Sequence, residues 1–191
     1  MAGGRSRRFG RDKLAEPVRG APMLHHVVLR LLEICGDVVV VLSPDAPEPT
    51  MPAGAPVRFA RDAAAGEGPL AGTLAGLLAV RTERALVAGG DMPDLQGPVL
   101  SELLRVANAT PVDAVALREG DRVRPLPCVL RMPVARDAAR ALMDGGGRRL
   151  RDLLEALRVS AIDEATWRAL DPEARTLIDV DEPGDLDDLH G

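Results

Sequence analysis

The first thirteen residues, MAGGRSRRFGRDK, carry groups that bind phosphate. Gly3, Gly4 and Gly10 let a backbone turn tightly and bring its N–H groups against an anion. Arg5, Arg7, Arg8, Arg11 and Lys13 add positive charge, opposed within the segment only by Asp12. Lys13 is also the only lysine among 24 basic residues. A chain that uses arginine everywhere else and keeps one lysine here points to a need for a compact, rotatable ammonium rather than a planar fork. The plain alternative is chance, since one lysine must sit somewhere. Its place in a Gly-rich basic loop favours function.

Three acidic positions could complete the chemistry: Asp62, Asp91, and Asp181 with its neighbour Asp179. A Gly-rich basic loop with an aspartate at a strand end makes a nucleotide site with a metal. Backbone N–H groups, Arg7 and Lys13 would hold a triphosphate. Asp91 would hold Mg²⁺, which takes one or two carboxylates plus phosphate oxygens, and Asp181 is the candidate second ligand. Each carboxylate by itself reads as a turn or cap residue; the weight comes from one sheet edge collecting them. The loop is neither a Walker loop nor a G-x-G-x-x-G fingerprint.

The elements that must position these groups alternate. The apolar pattern predicts a helix over 22–34, ended by Gly36, then a buried strand over 38–42. A Pro-rich loop over 43–56 leads to a short strand at 57–60 and a loop starting near Asp62. A helix follows over 69–80, a strand over 85–88 leaving through Gly89-Gly90-Asp91, a helix over 98–107 and a strand over 114–117. A strand at 129–131, helices over 134–143 and 150–157, strands at 159–162 and 177–180, and a last helix over 183–189 complete the chain. This alternation predicts an α/β fold: a parallel sheet covered on both faces, with ligands at the carboxyl ends of its strands. Asp62, Asp91 and Asp181 fall at such ends.

Bulk properties exclude several classes. The 191 residues are read as a single domain, 1–191, and 46% apolar residues suffice for a real core. Aromatics make up 2%, against a base-stacking platform, and the net charge of -5 argues against a nucleic-acid partner. No apolar run approaches bilayer length, so no membrane partner is expected, and two cysteines fit a reduced cytoplasmic enzyme. Cys35 and Cys128 are read as small core residues, His25-His26 as a helix face and Trp167 as a packing anchor. Arg148, Arg149 and Arg151 could meet a phosphorylated second substrate or simply be a solvated helix start. The 124–127 segment could shape an acceptor pocket or be a rigid turn.

AGGRSRRFGRDK resembles the signature loop LAGG-x-S-x-R-x-G-x-DK of the nucleotidyltransferases of molybdenum cofactor maturation. GPLAG at Gly68 to Gly72, GDMPDL at Gly90 to Leu95, RPLPCVL at Arg124 to Leu130 and DVDEPGDL at Asp179 to Leu186 resemble further motifs of that family in the same order. The resemblance covers nearly the whole chain, and the guanylyltransferases are nearest in pattern. It implies a three-layer Rossmann-like nucleotidyltransferase fold with a mostly parallel sheet. It also implies transfer of GMP from MgGTP to molybdopterin with release of pyrophosphate, in the cytoplasm. Under it, Met1, Ala2, Gly3 and Gly4 lie against the nucleotide, Lys13 lies on its phosphates and Asp62 contacts it. Asp91 binds both Mg²⁺ and GTP. Partners would be GTP and molybdopterin, and could include acceptor molybdoenzymes or their chaperones.

Three departures from the family pattern stand out. The family loop follows a β-strand, whereas Met1 here occupies the leucine position, so the sheet is expected to lack the usual first strand. The aspartates of the 179–183 segment replace an N-x-N-T-P pattern and are closer to cytidylyltransferases. An Asn after the first complete strand is replaced near Val41. The alternatives are therefore a CTP-dependent cytidylyltransferase of the same pathway, another nucleotidyltransferase, or a non-catalytic nucleotide-binding relative.

Overall fold

Runs of β-branched residues and helices begun by proline set the architecture. A computed structural model describes residues 13–63, 66–180, 182, 184 and 185. After a 3₁₀ turn at Lys13–Ala15, a small hairpin pairs β1 (Pro17–Val18) with β2 (Ala21–Pro22). Helix α1 (Met23–Leu32) leads to β3 (Val38–Leu42), which pairs in parallel with β4 (Val57–Arg61). Helix α2 (Pro69–Ala79) precedes β5 (Arg84–Val87), and α3 (Gly97–Ala109) precedes β6 (Ala114–Glu119). Then come β7 (Arg122–Arg131), α4 (Met132–Asp144), α5 (Leu150–Glu155), β8 (Val159–Ile162) and α6 (Glu164–Leu170). Proline in the first turn of α2, α3 and α4 stands where backbone N–H groups have no intrahelical acceptor to lose.

The second sheet has the order β5–β7–β6–β8. β6 and β8 are parallel, and β7 runs against both β5 and β6. The sheet is mostly parallel, as expected, with β7 the antiparallel member. This strand joins β6 by a two-residue turn at 120–121, too short for a crossover, so the chain must reverse. β7 is also longer than the expected 129–131 strand. Its register slips between Ala116 and Leu117, where the 125–127 segment bulges out of the ladder.

Alternation of side chains divides the core into two layers. Val115 and Leu117 of β6 and Val129 of β7 join Val99, Leu100 and Leu103 of α3 and Trp167 of α6. Their neighbours Ala114, Ala116, Cys128 and Leu130 join Leu70 and Leu77 of α2, Ala135 and Ala139 of α4 and Leu153 of α5. A period of two thus gives the sheet two apolar faces, and helices cover both. β3 and β5 lie in separate sheets, and both line a cavity of about 290 Å³ together with α2. Among the described residues the main sheet is thus in two pieces, β3–β4 and β5–β7–β6–β8.

At the C-terminal side one expected element differs and one element is added. The strand over 177–180 is instead a 3₁₀ turn at Arg175–Leu177 followed by residues with no ladder partner among the described strands. Thr176 and the buried Asp171 tie this segment down, with the Thr176 N–H donating to the Asp171 carboxylate at 2.8 Å. Helix α6 was not foreseen; Asp163 caps it by accepting from the Thr166 N–H, and Trp167 anchors it. The helix expected over 183–189 lies largely outside the described residues. No described helix is long and apolar enough to cross a membrane.

Candidate active site

Lys13 is placed by its neighbour. Leu14 packs against the cluster formed by Leu24, Val28, Val38, Val40 and Leu42, so the turn at Lys13–Ala15 sits over α1 and β3. From there the Lys13 side chain reaches across to the loop that leaves β5. Its Nζ donates to Asp91 Oδ2 at 2.8 Å and to the Val180 carbonyl at 2.7 Å. The Val180 N–H in turn donates to the Asp91 carbonyl at 2.9 Å. Three segments far apart in sequence thus meet at one ammonium. Beneath them Val18, Met23 and Val180, all fully buried, form a small apolar cluster that holds the junction together.

Asp91 is kept available. It follows Val87 at the carboxyl end of β5, and its side chain is about one-third exposed (31%), against 15% for Lys13. The turn depends on Gly89: a Cβ there would come within 2.4 Å of Asp91 Oδ1 and 3.1 Å of Met92 Cγ. Gly89 therefore lets the carboxylate fold back over the strand end, while Met92 and Leu95 anchor the loop in the core. Among the described residues, no three His, Cys, Asp or Glu side chains gather into a metal cage. Asp91 is the carboxylate at this junction.

Asp62 stands at the carboxyl end of β4, where its N–H donates to the Leu42 carbonyl at 2.9 Å, beside the end of β3. The GPLAG segment begins α2 at Gly68, whose φ of +90° suits only glycine. A Cβ at Gly68 would approach the Arg148 carbonyl to 2.8 Å, and Leu70 N–H donates to that same oxygen. Arg148 thus braces GPLAG through its main chain. Met1, Ala2, Gly3, Gly4, Arg7 and Asp181 lie outside the described residues.

The remaining candidates take structural roles. His25 and His26 point apart: one Nε2 donates to the Thr50 carbonyl at 2.7 Å, the other to the Val18 carbonyl at 2.6 Å. Trp167 is fully buried and donates to the Arg118 carbonyl at 2.8 Å. Both cysteines are free. Complete burial pushes the Cys128 thiol up to about 12, and burial with the nearby Asp37 charge also raises Cys35, so neither is a ready thiolate nucleophile at neutral pH.

Sequence reasoning missed two participants. The Val180 carbonyl is a main-chain group, so no residue type announces it, although it lies inside the DVDEPGDL motif. Arg19 at the hairpin tip pairs with the buried Asp94, three residues beyond Asp91; Asp94 lies inside the GDMPDL motif, but Arg19 carried no motif signal.

An ammonium held against an aspartate at a strand's carboxyl end, in a helix-covered α/β sheet, lies where such folds take their ligands. The chain matches the MobA-like NTP transferase domain over residues 1–161 and belongs to that family of nucleotidyltransferase enzymes. It is 33% identical to a protein of Chloroflexus aggregans named probable molybdenum cofactor guanylyltransferase, over 97% of this chain and 89% of that one. A protein of the same name from Mycolicibacterium paratuberculosis is 34% identical over 97% and 90%. Among solved structures, the chain is similar to molybdopterin-guanine dinucleotide biosynthesis protein A from Archaeoglobus fulgidus. That match has a TM-score of 0.78 and 23% identity, over 99% of this chain and 94% of that one. A 2-C-methyl-D-erythritol 4-phosphate cytidylyltransferase from Thermus thermophilus shares the fold at a TM-score of 0.70 and 20% identity, over 93% and 92%.

Proposed function

We propose that the protein transfers GMP from GTP to the terminal phosphate of molybdopterin, releasing pyrophosphate. The observation that supports this most is the Lys13 ammonium seated on Asp91 and the Val180 carbonyl at the carboxyl end of β5, in a chain whose named relatives are guanylyltransferases. An oxygen of the acceptor phosphate attacks the α-phosphorus of GTP, and the bond to the pyrophosphate oxygen breaks. The acceptor is already an anion, so the step needs no strong base. What it needs is in-line placement of two anions and stabilisation of the charge on the leaving pyrophosphate.

Lys13 supplies a mobile positive charge for that phosphate chain. Its bonds to Asp91 and Val180 hold it ready without locking it into a fork. Asp91 fits Mg²⁺: it is a partly exposed carboxylate, and that ion takes one or two carboxylates with phosphate oxygens and water completing its shell. When bound there, Mg²⁺ would neutralise charge on the phosphates. Arg7 and the backbone of Met1, Ala2, Gly3 and Gly4 are proposed to cradle the nucleotide, Asp62 to contact it, and Asp181 to be a second metal ligand.

Pyrophosphate release is the test, with purified protein, molybdopterin, Mg²⁺ and either GTP or CTP. Release with GTP and not CTP is expected. Release with CTP alone would replace guanine by cytosine in this reading. No release with either nucleotide would overturn the transfer reading in favour of a nucleotide-binding relative.

A further inference from the structure

The β1–β2 hairpin turns through Arg19 and Gly20, both at positive φ, +48° and +82°. A two-residue turn of this kind favours Asn, Asp or Gly at its first position, because a longer side chain is strained there. Arginine at that position calls for a compensating contact. It has one: the Arg19 guanidinium pairs with Asp94, whose side chain is only 8% exposed. A buried carboxylate requires such a partner. Arg30 and Arg175 line the same cavity of about 430 Å³ but are paired with Glu33 and Glu173. Arg19 is thus the direct ion-pair partner of Asp94 among the described residues, while Arg175 contributes only longer-range charge.

The position of this pair gives it significance. The hairpin begins four residues after Lys13, and Asp94 lies three residues after Asp91. The Lys13–Asp91 pair and the Arg19–Asp94 pair therefore join the same two segments twice. His26 holds the hairpin to α1 through the Val18 carbonyl, and Val18 is buried against Met23 and Val180. We infer that Arg19 is a positioning residue: its bond to Asp94 fastens the Lys13-bearing segment to the Asp91-bearing loop and so sets the spacing of the ammonium and the carboxylate. Its consequence for turnover rests on the reading of Lys13 and Asp91 given above; the fastening itself does not.

Arg19→Gly separates the two effects at this position. Glycine suits the left-handed backbone and so offsets part of the stability lost when buried Asp94 loses its partner; the thermal midpoint should fall, and Arg19→Gly with Asp94→Asn should recover it without restoring turnover. Pyrophosphate release in Arg19→Gly should fall about tenfold in kcat, as expected for misplaced reacting groups. The Mg²⁺ concentration for half-maximal rate should rise, and Arg19→Lys should recover part of the loss. Wild-type kcat and Mg²⁺ dependence in Arg19→Gly would overturn the assignment.

A second measurement needs no nucleotide. In a double-mutant cycle of Arg19→Gly with Lys13→Ala, read by denaturant unfolding, fastening predicts that Lys13→Ala costs less in the Arg19→Gly background. The expected coupling is about tenfold in the unfolding equilibrium. Additive effects would sink the inference whatever the activity. Coupling in a protein that releases no pyrophosphate would uphold it while overturning the proposed reaction.

Discussion

The two ends of the four-stranded sheet each hold an aspartate, and they hold it differently. Asp113 precedes β6 at the amino ends of β6 and β8. Its carboxylate takes an ion pair from Arg131 and a two-pronged contact from Arg158 at 2.8 and 3.1 Å. The Asp113 N–H donates to the Arg158 carbonyl and the Arg131 N–H to the Asp113 carbonyl. The two arginines hold the Asp113 carboxyl well below the usual carboxylate range, chiefly through the Arg158 hydrogen bonds, with Arg131 adding to them. Asp91, at the opposite end, faces a single lysine and keeps about a third of its side chain exposed. An acid surrounded by fixed donors clamps strands. An acid left with one mobile cation and open surface can exchange partners with a ligand. The perturbed Asp113 carboxyl belongs to a strand clamp, so a shifted acid is not by itself the mark of a reaction site.

Substitutions at each end should separate the two roles. Asp91→Ala and Lys13→Ala should have the largest effect, lowering turnover about 10²–10³-fold, as loss of a fixed charge partner in a reaction site does. Steady-state pyrophosphate release measures it, and rates near wild type in either variant would erase the distinction from Asp113. Gly89→Ala comes next. The added Cβ must displace the Asp91 carboxylate or Met92, so turnover should drop with Asp91 still present, and stability should fall by about 1–3 kcal/mol in denaturant unfolding.

Asp113→Asn should do the reverse, costing about 2 kcal/mol near neutral pH while leaving turnover close to wild type. The sign of its pH dependence follows from the lowered folded-state value. The Asp113 contribution is complete above the ordinary carboxylate range, near 4, and shrinks as pH falls through and below it. Unfolding at pH 7 and at pH 3 should therefore show the gap between wild type and variant narrowing in acid; a constant gap would mean that charge is not what Asp113 contributes. The smallest effect concerns the thiols. In native protein at pH 8, an alkylating reagent should label half-buried Cys35 before buried Cys128, and denaturation should equalise them.

Much of the fold could be read from local pattern. The strands at Val38–Leu42 and Val159–Ile162 match the expected ranges, because their apolar β-branched runs are bounded by Gly or polar residues. α2 and α3 were expected from Pro69 and Pro98 onward, and both prolines lie in first turns. The reversed β7 was not legible, since a short turn and a bulge near Leu126 depend on pairing with β6, which no local run of residues encodes. The 177–180 segment has strand-like composition, yet Asp171 and the Lys13 ammonium hold its backbone instead of a ladder. Composition cannot distinguish one hydrogen-bond partner from another. Arg19 was invisible for a related reason: its meaning comes from a left-handed backbone and a buried carboxylate 75 residues away.

The sequence by itself determined the class of chemistry. A single lysine among arginines, a Gly-rich basic start and aspartates expected at strand ends led to the reading of a phosphate site with a metal, and the family motifs pointed to nucleotidyl transfer. Only the tertiary structure brought Lys13 onto Asp91 and onto the main-chain carbonyl of Val180. It also decided that the sheet's strongest acid–arginine cluster is a clamp rather than a site. Residue type fixes what a group can bind; the packing of β5, the hairpin and the Val180 segment fixes what lies within 3 Å of it.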